Sequence, residues 1–175
     1  MTQTTLGRMK EQEREKRRQF FIEAAFSQLK VKDPGQLTVK DIAAEINVSV
    51  PSVYTYFPSK DDLYIEILRR DAESFVMFLD ASDNDCSKTP EEKCSELMQY
   101  FMVRSEISSL MVYFIGKKRS LLPEQHRELK QIQDAYLKAF NAVRGDSTES
   151  VFNALFLMSL PALSKANEIE SALAS

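Results

Sequence analysis

Phe21, Ile22, Ala25, Phe26 and Leu29 recur at three- and four-residue spacing and give the first apolar helical face of the chain. Ahead of them, Met1 to about Glu11 is polar and without apolar period, so a frayed end is expected, with the helix starting near Glu13. A second stripe, Tyr64, Ile67, Leu68, Phe75, Phe78 and Leu79, predicts a long helix that the polar run Ala81 to Asp85 breaks. Thr89-Pro90-Glu91-Glu92 opens the next. Two successive faces then share a register: Cys94, Leu97, Met98, Phe101 and Met102, followed by Ile107, Leu110, Met111, Phe114 and Ile115. Gly116 closes that helix, and Leu122-Pro123 opens another with the seam Leu129, Ile132, Tyr136, Phe140 and Val143. The last stretch, Val151 to Leu163, is apolar almost all round and must be covered on every side.

Between the first two stripes the pattern shortens. Thr38 is placed to cap a helix, with Asp41 completing a capping box and Ile42, Ala43 and Ile46 forming its inner face. Asn47 tolerates the left-handed backbone of a sharp turn, and Val48 is expected to plug the angle that follows. Ser49 is the expected cap of a second short helix, with Pro51 in its first turn, where the missing N–H is harmless. Tyr54 and Tyr56 lie two apart and cannot share one buried face, so at least one hydroxyl looks outward; Val53 and Phe57 are assigned to the core. Ser59-x-x-Asp62 starts the next helix. Helix, tight turn, helix and an abrupt new helix is the layout of a helix-turn-helix reader of DNA.

On Ala24-Ala25, Thr38-Val39, Ile42-Ala43, Val48-Ser49, Val53-Tyr54-x-Tyr56-Phe57 and Ser59-Lys60-x-x-Leu63, residues 21–68 resemble the DNA-binding domain of the TetR family of bacterial transcriptional regulators. The resemblance implies an all-α fold: a three-helix headpiece over residues 1–58 and a helical effector-binding and dimerisation domain over 59–175. It also implies that Val50, Pro51 and Ser52 meet base edges and that Thr38, Lys40, Tyr54, Tyr56 and Lys60 reach phosphates. Arg17, or its neighbours Arg14 and Arg18, would lie along the DNA backbone. The final two helices would pair with those of a second copy, which places Ile132, Tyr136, Phe140, Val151, Leu155 and Met158 at a homodimer interface. Phe75, Met98, Phe101, Met102, Met111 and Phe114 are candidates for an effector pocket, since Met repacks around varied shapes, although a plain helical core accounts for them equally. Two departures from the family pattern, Gln28 and Asp33, bear on the loop after the first helix.

Charge sharpens the division. The chain carries a net charge of -3, yet residues 1–60 hold ten Lys/Arg against seven Asp/Glu. A basic reading head on an acidic body has this asymmetry. Low Gly and Pro counts, 4 and 6 in 175 residues, favour long helices over a β-rich fold. No signal peptide and no bilayer-length apolar run is visible, so a cytoplasmic protein with reduced Cys86 and Cys94 and no membrane partner is expected. No zinc-site spacing, Gly-rich phosphate loop or cofactor motif occurs, and His126 sits on a charged helix. The expected function is a non-enzymatic homodimeric repressor, released from a palindromic operator on double-stranded DNA by an apolar small molecule. A ligand-independent regulator or activator on the same fold, or a helical interaction module that has lost DNA binding, are the alternatives.

Overall fold

The computed structural model describes residues 5–142, apart from positions 84–86, 90, 91, 94, 97, 98, 101 and 102. Among them are helices α1 (Thr5–Leu29), α2 (Val39–Glu45), α3 (Val50–Tyr54), α4 (Lys60–Asp83), α5 (Ser105–Lys117) and α6 (Pro123–Ala142), with a single 3₁₀ turn at Lys118–Ser120 and no strand. Described residues between 92 and 100 are also helical, and Thr89 caps them reciprocally: its N–H donates to Glu92 Oε2 (2.8 Å) and its hydroxyl accepts from the Glu92 N–H (3.3 Å).

The start of α1 corrects the expectation of a frayed end. The helix begins about two turns before Glu13. Arg, Lys, Glu, Gln and Met are good helix formers, and the i,i+4 pair Glu13–Arg17 adds support without any apolar stripe. The chain divides into two compact units, the first ending at Ile67 and the second beginning at Leu68, so this division falls inside α4.

In the first unit, α1 turns Phe21, Ile22, Ala24, Ala25 and Leu29 inward, where they join Leu37, Ile42, Ala43, Val53, Phe57, Leu63 and Tyr64. Phe21 meets Phe57 edge-on with ring centroids 6.5 Å apart. After α1 the carbonyl of Asp33 accepts from the N–H groups of Gln36 (2.9 Å) and Leu37 (3.0 Å), so Asp33-Pro34-Gly35 forms its turn. Gln28, one of the two departures, donates to Glu45 Oε2 (2.7 Å) and ties the end of α1 to the end of α2.

The second unit is built around the lower part of α4. Phe75 is fully buried, with Tyr100 and Tyr136 at centroid distances of 5.2 and 5.3 Å. On the same helix Asp71 collects polar groups from three other parts of the chain. Tyr136 Oη donates to Asp71 Oδ2 (2.6 Å), Arg104 Nε pairs with Oδ1 (3.3 Å), and Tyr100 Oη donates to the Asp71 carbonyl (3.3 Å). Burial raises the Asp71 carboxyl, and these partners pull it back. Ile107, Leu110 and Phe114 of α5 are buried as the stripe predicts, while Ile115 is exposed.

Ile132 is buried, and Tyr136 bonds Asp71 and packs on Phe75 inside the second unit. The side chain of Phe140, and all of Val151, Leu155 and Met158, lie outside the described residues, as do the pocket candidates Met98, Phe101 and Met102. Of the remaining pocket candidates, Phe75 and Phe114 are buried and Met111 is half-buried. No helix among the described residues is long and apolar enough to cross a membrane, and no group of three His, Cys, Asp or Glu there is placed to hold a metal ion.

Candidate nucleic-acid interface

The reading unit is assembled by its caps. Thr38 closes a complete capping box on α2: its hydroxyl accepts from the Asp41 N–H (3.3 Å), and its own N–H donates to Asp41 Oδ2 (2.9 Å). The Thr38 hydroxyl proton is also given to Asp41 Oδ2 (2.7 Å), and Lys32 pairs with the same carboxylate at 2.8 Å. The Lys32 ammonium and the two Thr38 donors together hold the Asp41 carboxyl well below the usual carboxylate range. Thr38 therefore acts on α2 itself, its hydroxyl proton being occupied.

Asn47 makes the turn. It is the only non-glycine residue with positive φ among those described, at 53°, in the left-handed region where Asn is tolerated. The Val48 N–H then bonds back to the Ala43 carbonyl (2.9 Å), which lets α3 set off at once in a new direction. Two local expectations change. Ser49 occupies the cap position but makes no side-chain cap; its hydroxyl meets that of Ser52 at 2.8 Å. Val48 does not plug the angle and is exposed.

Val53 points into the core, so the opposite side of α3 faces water. Pro51 and Tyr54 are exposed, and Val50 and Ser52 are half-exposed. Tyr56 rests its ring on Phe21 at 5.1 Å and is only partly covered, whereas Tyr54 is 48% exposed, so the two tyrosines take different faces as their spacing requires. Lys40 is exposed on α2.

Lys60 has partners within its own unit. Its ammonium donates to the carbonyls of Pro34 (2.9 Å) and Leu37 (2.8 Å), and Tyr64 Oη donates to the same Pro34 carbonyl (3.1 Å). Two of its three N–H groups thus brace the loop between α1 and α2, a supporting role beside the phosphate contact expected of it. Arg18 is likewise turned inward, paired with the buried Glu66 (3.2 Å) and lying 4.9 Å over the Phe57 ring. Ser59 forms the expected box with Asp62, donating to its carboxylate at 2.8 Å.

Arg17 stays outside. An open groove of about 640 Å³ runs from it past Phe20, Phe21, Ile46, Val48, Ser52 and Thr55 to Tyr56. A second, of about 370 Å³, shares Arg17, Thr55 and Tyr56 and continues along Lys10, Glu13 and Arg14. The basic residues of α1 therefore join the surface of α3 through common walls. Lys10 and Thr55 were not singled out from the sequence. The interval Lys10, Arg14, Arg17 is helical, and it becomes a signal only once α1 is known to reach back to Thr5.

A short helix held by a capped neighbour and a left-handed turn, with its outer face bare and flanked by cations, defines a helix-turn-helix protein of the all-α class. Residues 21–67 match the family model described as bacterial regulatory proteins, tetR family, so this segment is similar to the DNA-binding domain of that family. No curated protein matches the chain in sequence. Solved structures extend the likeness in fold over most of the chain. A candidate TetR-family regulator from Mesorhizobium loti superposes with a TM-score of 0.61 at 16% identity, over 79% of this chain and 76% of its own. A TetR transcriptional regulator from Legionella pneumophila gives 0.60 at 21% identity, covering 87% and 80%. The regulator FadR from Bacillus subtilis, solved in complex with stearoyl-CoA, gives 0.52 at 18%, covering 86% and 83%.

Proposed function

We propose that this protein is a transcriptional repressor that binds a palindromic DNA operator as a homodimer and leaves it when an apolar or amphipathic small molecule enters the helical body. The observation that carries the DNA-binding part is the outer face of α3, Val50, Pro51, Ser52 and Tyr54, presented after a helix closed by a complete capping box, with Lys40 exposed on α2 and Arg17 on the groove that reaches Ser52. Apolar and hydroxyl side chains at the front of a recognition helix suit thymine methyls and base edges. Tyr54, Tyr56, Lys40 and Arg17 suit phosphates, which set register and orientation. Absence of arginine from α3 leaves no bidentate guanine contact there.

Two copies would place their α3 helices in successive major grooves, about 34–36 Å apart. An effector that prefers a differently spaced dimer lowers operator affinity, and a coupling of about 1–3 kcal/mol suffices for a switch. FadR, with its bound acyl-CoA, supports an effector with a long apolar part. The test is selection of bound genomic duplexes by the purified protein, followed by an acyl-CoA series added to the complex. Selective retention of a palindrome, and its release by one member, is the expected result. A protein that is monomeric in solution, or that retains no duplex at low salt, would refute the proposal.

A further inference from the structure

Along α1, Lys10, Arg14 and Arg17 follow one another at helical spacing on one face, and Glu13 stands among them. All four are exposed, and all four line the groove that ends at Tyr56. Glu13 Oε1 lies 2.7 Å from Arg17 Nη2, with the two side chains 65% and 61% exposed. Arg17 and Tyr56 line the same two grooves. The Thr55 hydroxyl proton is committed to the Pro51 carbonyl (3.1 Å), so the donors available to an incoming anion are the three cations and Tyr56.

One carboxylate among three cations on a surface continuous with a recognition helix resembles, in charge and geometry, an anion already seated in its site. We propose that Glu13 is an intramolecular stand-in for a DNA phosphate: it holds Arg17 in the free headpiece and yields it to the duplex backbone, which is clamped by Lys10, Arg14, Arg17 and Tyr56. The inference rests on the DNA-binding function proposed above and adds to it Lys10 as a further backbone contact and Glu13 as a built-in competitor. An exposed i,i+4 pair is weak, so exchange of carboxylate for phosphate is easy. While unbound, the pair keeps Arg17 extended toward Tyr56. Once DNA is bound, the displaced Glu13 charge stays near the phosphates and restrains affinity.

The experiment measures affinity for a random-sequence duplex as a function of salt, because non-specific binding reports phosphate contacts directly. Each phosphate contact contributes about 0.9 to the slope of log K against log salt, so Lys10→Ala and Arg14→Ala should each flatten it by about that much. Glu13→Gln should tighten binding several-fold at low salt and steepen the slope. In an Arg17→Ala background the same change should lose most of its effect. A mere increase in net charge would act equally in both backgrounds, and that result would overturn the stand-in role. Unchanged slopes for all variants, with wild-type binding intact and α1 helicity preserved by circular dichroism, would overturn the clamp alone. Failure of the wild type to bind any duplex would remove the DNA-binding function and the clamp together.

Discussion

Tyr136→Phe isolates one hydroxyl in the second unit. The ring and its packing on Phe75 at 5.3 Å are kept, and only the 2.6 Å bond to Asp71 is lost. A hydrogen bond to a charged group contributes about 1.5–3 kcal/mol, so the variant should lose about that much at neutral pH. For a chain of 175 residues this corresponds to a fall in Tm of about 3–12 °C. The cost should depend on pH in a defined direction. Burial raises Asp71 above its ordinary value of 3.8, so the stability it contributes is full below 3.8 and is lost as pH rises through the folded value. Tyr136 offsets that loss by bonding the charged form, so removing its hydroxyl should matter most at neutral pH and least in acid. Thermal melts followed by circular dichroism at neutral and acid pH measure this directly. In an Asp71→Asn background the bond is neutral, about 0.5–1.5 kcal/mol, and the penalty should shrink accordingly. An equal penalty in both backgrounds, or one that grows toward acid, would refute the reasoning.

Tyr100 is pushed up to about 12 by burial and by the Asp71 charge, and Tyr136 is raised further, from an ordinary 10.0. Their contribution is full below pH 10 and is lost as pH rises through the folded values, so alkaline unfolding should set in above pH 10, and Tyr100→Phe should flatten its pH dependence in a titration of stability. Asn47→Gly should be neutral or slightly stabilising, whereas Asn47→Ala, forced to the same φ of 53°, should cost about 1 kcal/mol, read from denaturant midpoints. Thr38→Ala removes one half of the capping box and should cost about 0.5–2 kcal/mol in the same assay. Lys60→Met should lower stability by about 1–3 kcal/mol by leaving two carbonyls without its ammonium, with little change in the salt slope of duplex binding.

The headpiece was legible because its signals are local. Thr38 with Asp41, Asn47 at the turn and Ser59 with Asp62 each act within three residues, and the structure forms every one of these bonds or angles. What the sequence hid is long-range. Lys60 reads as a surface cation at a helix start, yet its partners lie 23 and 26 residues earlier. Asp71 and Tyr136 are 65 apart, and no periodicity announces that a carboxylate on α4 gathers two tyrosines and an arginine. The polar start of α1 was misread for the opposite reason: an exposed helix held by propensity and side-chain pairs has no apolar stripe to detect.

The brace at Lys60 sets the smallest piece of this molecule that can be transplanted. A fragment limited to α2 and α3 would leave the Pro34 and Leu37 carbonyls without the ammonium, and Pro34 without the Tyr64 hydroxyl as well. Any graft of the reading head onto another scaffold must therefore carry the opening turns of α4 with it, ending no earlier than Tyr64.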